Sequence, residues 1–115
     1  MGSSLSSVGL FSMKTTVEQL VDKEIQDNPA IVFSKTWCGF SNMAKKAFED
    51  IGTKPKVIEL DKRDDGLEIQ RYLSTLTGAN TVPRVFVKGK CIGGGSETKS
   101  MKLSGKLSKL LQGEA

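Results

Sequence analysis

The sequence SKTWCGFSNMAKKAF, residues 34–48, places a cysteine between a short apolar run and a segment with helical spacing. Before it, residues 30–34 (AIVFS) have the composition of a buried strand. After it, apolar residues recur at the intervals of one helix face: Ala44, Ala47, Phe48 and Ile51. Gly52 ends that pattern. The stretch therefore predicts a strand, a turn and a helix, with Cys38 at the first turn of the helix.

Helix patterns occur at three further places. The capping-box spacing of Thr15 and Glu18 predicts a first helix, which Asn28 and Pro29 end. A third helix ends near Gly78. One closing amphipathic helix is marked by four leucines: Leu103, Leu107, Leu110 and Leu111.

Strand patterns follow at residues 57–60, 84–88 and 90–93, and Gly89 offers the tight turn that makes the last two a hairpin. A β-α-β unit followed by a hairpin implies a four-stranded mixed β-sheet flanked by helices. The predicted fold class is therefore α/β, with one domain over residues 14–115.

The start of the chain differs from the rest in composition. Residues 1–13 are rich in Ser and Gly and carry no charged side chain, so we predict a flexible tail. Gly2 and Ser6 also match the myristoylation pattern, which makes a lipidated tail the alternative. No run of about 18 apolar residues occurs, so no membrane span is predicted. The basic residues are scattered with few aromatic residues between them, which argues against a nucleic-acid partner.

The inventory of side chains narrows the chemistry. The chain has no histidine, which excludes imidazole zinc sites and a histidine general base. Its two cysteines, Cys38 and Cys91, are too few for the disulfide framework of a small secreted domain. We therefore expect a reducing compartment and predict a cytoplasmic protein, with the mitochondrion as the alternative.

Cys38 is the predicted nucleophile. Unpaired N–H groups and the helix dipole at a helix start favour an anion, and a thiolate is such an anion. Lys35 adds positive charge three residues earlier, so we expect a depressed pKa at the Cys38 thiol. A buried structural cysteine is the alternative, and the small or polar neighbours of Cys38 argue against it.

Two other segments could complete a site. Pro83 precedes a strand, and a proline there can leave the N–H and C=O of Val82 as a free edge for a peptide-like ligand. An ordinary loop proline is the alternative. Residues 93–98 (GGGSET) open the last helix, where successive N–H groups can bind a carboxylate. A flexible turn into that helix is compatible with the same residues.

Taken together, FSKT-x-C, TVPRVFV and CIGGGSET resemble the dithiol glutaredoxins over roughly residues 17–111. The resemblance implies a thioredoxin-like fold, a cis Val82–Pro83 bond and glutathione as co-substrate. It also implies a glutathione groove with Phe40 beside the catalytic sulfur. The groove residues carried over from the family are Lys35 and Gln70 for the glycine carboxylate, Thr81, Val82 and Pro83 for the cysteinyl backbone, and Gly94, Gly95, Ser96 and Glu97 for the γ-glutamyl end.

One departure from that family pattern concerns the motif itself. Dithiol members have C-x-x-C, whereas this chain has Cys38-Gly39-Phe40-Ser41, the signature of monothiol glutaredoxins, which are associated with iron–sulfur clusters. Other features typical of the monothiol class, such as its W-N-Q-W-P-T stretch, are missing. Either a natural variant lost the second thiol, or Ser41 is an engineered replacement for cysteine.

Three functions fit these residues. The first is a monomeric glutathione-dependent oxidoreductase that removes glutathione from glutathionylated proteins through Cys38 alone. The second is a dimer that holds a [2Fe–2S] cluster with two Cys38 thiolates and two glutathione sulfurs. The third is a redox-inert adaptor. Cys91 is predicted to be a small core or surface residue, with a regulatory or dimer-forming thiol as the alternative.

Overall fold

The computed structural model describes residues 15–113. The predicted tail, including Gly2, lies outside the described residues, and its flexibility stays a prediction. The helices are α1 (Val17–Asp27), α2 (Gly39–Asp50), α3 (Gly66–Thr77), α4 (Gly95–Ser104) and α5 (Lys106–Leu111). The strands are β1 (Ala30–Ser34), β2 (Lys56–Glu59), β3 (Arg84–Val87) and β4 (Lys90–Gly93), and a 3₁₀ turn, Leu60–Lys62, follows β2.

The four strands form one mixed sheet in the order β2-β1-β3-β4. β1 pairs in parallel with β2, which requires the crossover that α2 provides, and it pairs antiparallel with β3. β3 and β4 form the predicted hairpin. Its turn consists of Lys88 and Gly89, both with positive φ (52° and 84°), as a two-residue turn of this kind requires. The α/β class and the thioredoxin-like architecture are confirmed.

The core consists of two layers, one on each face of the sheet. Every residue of β1 is buried, and its side chains alternate between the two layers. The layer under α1 and α3 contains Ile31 and Phe33, and the ring of Phe33 meets that of Phe86 edge-on at 5.9 Å. The layer under α2 and α5 contains Val32 and Phe48. The sheet is therefore covered on both faces, and the loops at the strand ends carry the site.

Three element boundaries differ from the sequence-based prediction. The cap of α1 is Thr16, whose hydroxyl accepts the Gln19 N–H at 3.0 Å, while the Gln19 side chain accepts the Thr16 N–H at 3.1 Å. The predicted pair, Thr15 and Glu18, was wrong by one residue because both pairs have capping-box spacing. β2 begins and ends one residue earlier than predicted, and β3 ends at Val87 because Lys88 enters the turn.

The predicted single closing helix was also wrong. Gly105 has φ of 83° and separates α4 from α5, so the helical phase is reset between them. As a result Leu103 is 69% exposed, whereas Leu107 is fully buried in the layer under α2 and α5. Within residues 15–113, no helix has the length and apolar character needed to cross a bilayer.

Candidate functional site

Cys38 is the N-cap residue of α2, as the sequence predicted. Its N–H donates to the Lys35 carbonyl at 3.1 Å, and its carbonyl accepts the Asn42 N–H at 3.1 Å. The side chain is partly exposed, and its Sγ lies 3.7 Å from the Val82 carbonyl oxygen. A partly exposed thiol at a helix start can meet an incoming disulfide, so the alternative of a buried structural cysteine is excluded.

The electrostatic setting of the Cys38 thiol favours its ionised form. Partial burial is the largest single influence and raises the pKa of the thiol. Hydrogen bonds from the Ser41 hydroxyl and from the N–H groups of Ser41 and Phe40, together with the Lys35 charge, outweigh it and hold the pKa below its ordinary value. Lys35 is the smallest of these influences.

Ser41 occupies the position of a second thiol, and it is fully buried. Its hydroxyl oxygen accepts the Lys35 N–H at 3.4 Å, and hydrogen bonding from the same hydroxyl to the thiolate helps to hold the pKa of Cys38 below its ordinary value. Ser41 therefore links the loop before Cys38 to the sulfur itself. The Lys35 ammonium lies 5.4 Å from the centre of the Trp37 ring, and Trp37 is 71% exposed.

Asp61 fixes the loop that carries Cys38, and sequence reasoning missed it. One carboxylate oxygen accepts the Thr36 N–H at 2.9 Å, and the other accepts the Thr36 hydroxyl. These bonds, first that of the hydroxyl and then that of the N–H, hold the pKa of Asp61 below its usual range. Asp61 belongs to the 3₁₀ turn after β2 and lies 25 residues from Thr36, so no local pattern could have paired them.

The predicted Val82–Pro83 bond is cis. No hydrogen bond to the Val82 N–H occurs among residues 15–113, and the Val82 carbonyl faces Cys38. Arg84, which sequence reasoning also missed, holds this segment: its Nε donates to the carbonyls of Thr81 at 3.1 Å and Pro83 at 3.0 Å. The sequence signal for this role of Arg84 was its positive charge immediately after Pro83. An extended ligand can pair with the free Val82 N–H.

The glycine segment packs against the first turn of α2. A Cβ on Gly95 would lie 2.3 Å from the Phe40 carbonyl oxygen, and one on Gly94 would lie 3.3 Å from the Pro83 carbonyl oxygen. Only glycine allows this approach of three backbone segments. The start of α4, the start of α2 and the cis proline therefore surround one site with Cys38 at its side.

Glu97 caps the start of α4 from within. Its Oε1 accepts the Gly94 N–H at 2.8 Å, and this bond, followed by that of its own N–H, lowers the pKa of the carboxylate. The buried Thr98 hydroxyl donates to the Gly94 carbonyl at 2.8 Å. The predicted helix start is confirmed, and its first N–H is already paired with a carboxylate of the chain.

Contacts connect most of the predicted site residues but not all of them. Cys38, Phe40 and Val82 join the proline and glycine segments directly. Phe40 is 56% exposed beside the sulfur. Gln70, on α3, donates to the Asn80 carbonyl at 3.0 Å and so reaches the site only through the segment before Thr81. Ser96 is exposed at the start of α4. The ligand roles of all these residues stay predictions.

Two features bear on metals and on the second cysteine. Across the described part of the chain, no three cysteine or carboxylate side chains are grouped as a metal site. Cys91 is exposed on β4, where it pairs with Phe86, and it is not among the residues around Cys38. Of the two positions expected for Cys91, core or surface, the structure shows the surface position.

A family model described as Glutaredoxin matches residues 30–92. Monothiol glutaredoxin-S6 of Oryza sativa is 45% identical over 91 residues, 79% of this chain and 70% of that protein. Chloroplastic monothiol glutaredoxin-S12 of Arabidopsis thaliana is 40% identical over 112 residues, 96% of this chain. The chain spans 60% of that protein's length. Mitochondrial glutaredoxin-2 of Mus musculus is 42% identical over 107 residues, 93% of this chain and 68% of that protein.

Solved structures give the same match in three dimensions. A buckwheat glutaredoxin–glutathione complex superposes with a TM-score of 0.81 at 40% identity, over 84% of this chain and 88% of that one. The holo form of glutaredoxin C1 from poplar gives 0.80 at 37% identity, over 86% of this chain and 98% of that one.

Proposed function

The chain belongs to the glutaredoxin family, and from that membership we propose that it is a glutathione-dependent thiol–disulfide oxidoreductase that removes glutathione from protein mixed disulfides through Cys38 alone. The observation that carries the proposal is the setting of Cys38. Its sulfur is accessible, its pKa is lowered, and it lies beside the Val82 carbonyl and an unpaired Val82 N–H.

The first step needs only one thiol. The Cys38 thiolate attacks the glutathione sulfur of a protein–glutathione disulfide, so a Cys38–glutathione disulfide forms and the S–S bond between the glutathione sulfur and the protein sulfur breaks. The electron pair of the broken bond leaves on the protein sulfur, which takes up a proton to become a thiol. The lowered pKa matters because only the thiolate is nucleophilic.

The second step regenerates the enzyme with a second glutathione. Its thiolate attacks the glutathione sulfur bound to Cys38, and oxidised glutathione leaves while Cys38 departs as thiolate. A lower pKa also makes Cys38 the better leaving group. Ser41 cannot replace this second glutathione, because a hydroxyl does not exchange with disulfides. We therefore expect poor reduction of protein disulfides that need two enzyme thiols.

A groove for the glutathionyl group follows from the same geometry. Its cysteinyl backbone would pair with the free Val82 N–H, as an added strand pairs with an edge. Lys35 would attract its glycine carboxylate, and the segment from Gly94 to Glu97 would meet the γ-glutamyl end. A buckwheat relative was solved in complex with glutathione, which supports glutathione as the ligand of such a groove.

The cluster-binding alternative is a second candidate. A [2Fe–2S] cluster is held by four thiolates, and the chain offers one at the site, Cys38. A second copy of the chain and two external thiols would therefore be required. The partial exposure of Cys38 favours it, because the sulfur can be approached from outside the chain. A chain with one ligand per copy does not by itself fit a cluster, and we derive no step through one.

Turnover of a glutathionylated peptide at varied glutathione tests the proposal, with the visible spectrum of anaerobically purified protein recorded on the same sample. We expect Cys38→Ser to abolish turnover and Cys91→Ser to leave it unchanged. Negligible turnover together with a glutathione-dependent visible chromophore would instead make the chain a cluster carrier. The relatives named chloroplastic and mitochondrial show that the family occurs in organelles, so the cytoplasmic location stays a prediction.

A further inference from the structure

β4 is an edge strand, and a groove lies against it on each face of the sheet. The sheet order ends at β4, so its outer N–H and C=O groups have no strand partner among residues 15–113. The groove beside α4 and α5 holds about 440 Å³, and the one beside α1 and α3 holds about 430 Å³. Cys91 borders both.

The groove beside α4 and α5 has an apolar floor and a basic rim. Val87, Ile92 and Met101 are among its lining residues, as are three lysines: Lys88, Lys90 and Lys106. None of these lysines forms an ion pair within the described range. An apolar surface next to uncompensated positive charge suits a ligand that is both apolar and acidic.

We propose that the β4 edge docks an extended acidic segment of a partner protein, which adds a strand to the sheet. Side chains of an added strand point alternately to the two faces, and here each face offers a groove. Apolar side chains would fill the grooves, and carboxylates would meet Lys88, Lys90 and Lys106. This surface shares no residue with the Cys38 site.

Lysines on an edge strand also have a protective role, because they discourage pairing with other edges. That role accounts for the charge but not for the two grooves beside it. A second copy of this chain is a poorer match than an acidic segment, because the residues lining the groove beside α4 and α5 include three lysines and no carboxylate.

The test uses a short, end-capped fluorescent peptide of alternating valine and glutamate, titrated with the full chain and read by anisotropy. We expect saturable binding that weakens as salt rises. Lys88→Glu combined with Lys90→Glu should weaken it roughly tenfold. Lys54→Glu, at an exposed lysine beside the opposite edge strand β2, is the control for Lys90→Glu alone, which changes the net charge by the same amount, and it should have little effect.

Two further peptides separate strand addition from general charge attraction. A peptide N-methylated at alternate residues keeps its carboxylates but cannot pair along an edge, and we expect it to bind much more weakly. Equal binding of the methylated peptide, or equal loss with Lys54→Glu, would overturn the proposal. Concentration-dependent dimers that are lost with Lys90→Glu would also overturn the proposal, because a second copy would then be the occupant.

Discussion

At Cys38, the hydroxyl of Ser41 has two neighbours that matter for reactivity. It accepts the N–H of Lys35, and its hydrogen bonding to the thiolate lowers the pKa of Cys38. The residue that stands where a second thiol would be in a dithiol protein therefore supports the thiolate of the first. The absence of a second thiol at this position and the stabilisation of the Cys38 thiolate therefore depend on one side chain.

Ser41→Ala removes that hydroxyl bond, so we expect the pKa of Cys38 to rise and the thiolate fraction at neutral pH to fall. The pH midpoint for alkylation of Cys38 by iodoacetamide should move upward, and turnover at pH 7 should drop several-fold. Ser100→Ala, on the exposed side of α4, is the control. An unchanged alkylation midpoint in Ser41→Ala would mean that the Ser41 hydroxyl does not stabilise the Cys38 thiolate.

Lys35→Ala should act mainly on ligand binding. The Lys35 charge affects the pKa of Cys38 less than the hydrogen bonds to the thiolate do, so we expect a smaller upward shift of the alkylation midpoint than with Ser41→Ala. The KM for glutathione should rise more clearly, because a charge that attracts its carboxylate is lost. Lys23→Ala, on α1, controls for net charge. If neither the alkylation midpoint of Cys38 nor the KM for glutathione changes in Lys35→Ala, Lys35 does not contribute to glutathione binding.

Local patterns predicted the position of Cys38 but not its supports. The boundary between an apolar run and a helical pattern is a local signal, and it placed Cys38 at the N-cap of α2. The bonds that Thr36 donates to Asp61 and that Arg84 donates to Thr81 depend on how the loops meet after folding. The residues adjacent to Thr36 and Arg84 in the sequence do not specify these contacts, so the sequence alone could not identify them.

Among the elements, the contact between the start of α4 and the first turn of α2 is the tightest constraint at the site. We expect Gly95→Ala to destabilise the protein by at least about 1–3 kcal/mol, because its Cβ would lie 2.3 Å from a backbone oxygen that cannot move alone. Gly39→Ala, with nothing within 4 Å of the added Cβ, is the control. Urea unfolding of both measures the difference, and equal stabilities would contradict the packing described.

The 3₁₀ turn and the loop before α2 are joined by a carboxylate, so their connection depends on pH. The pKa of Asp61 is lowered in the folded state, so its contribution is present above its unfolded pKa and is lost as pH falls through the folded one. We expect part of the acid-induced loss in unfolding free energy below about pH 4 to vanish in Asp61→Asn. Asp64→Asn, an exposed neighbour, should keep the parent's pH dependence; identical profiles for both variants would count against the Asp61 link.

At the scale of the whole molecule, α5 completes the core layer opposite α1 and α3. We expect Leu107→Ala to cost about 2–5 kcal/mol because its side chain is fully buried. Leu103→Ala, at 69% exposure, should change stability by less than about 0.5 kcal/mol. Denaturant unfolding of the pair tests this directly, since both leucines carry the same substitution; similar losses would mean that α4 and α5 form one continuous amphipathic face after all.

The topology was predictable because it rests on periods and turns that repeat over many residues. A β-α-β unit and a hairpin leave few arrangements for a four-stranded sheet, and the observed order β2-β1-β3-β4 is one of them. The division of the closing helix was not predictable in this way. The leucine spacing runs through Gly105, and only the positive φ adopted there shows that the pattern breaks.

The internal cap at Glu97 has a consequence for which ligands the molecule can discriminate. Because the Gly94 N–H already holds a carboxylate of the chain, a ligand bearing only negative charge at that end would meet like charge as well as the remaining N–H groups of the helix start. A zwitterionic end, with an ammonium beside its carboxylate, finds a partner for each sign. In the proposed glutathione groove we therefore expect selection by charge pattern rather than by net charge, so that a γ-glutamyl terminus would be distinguished from an ordinary dicarboxylate.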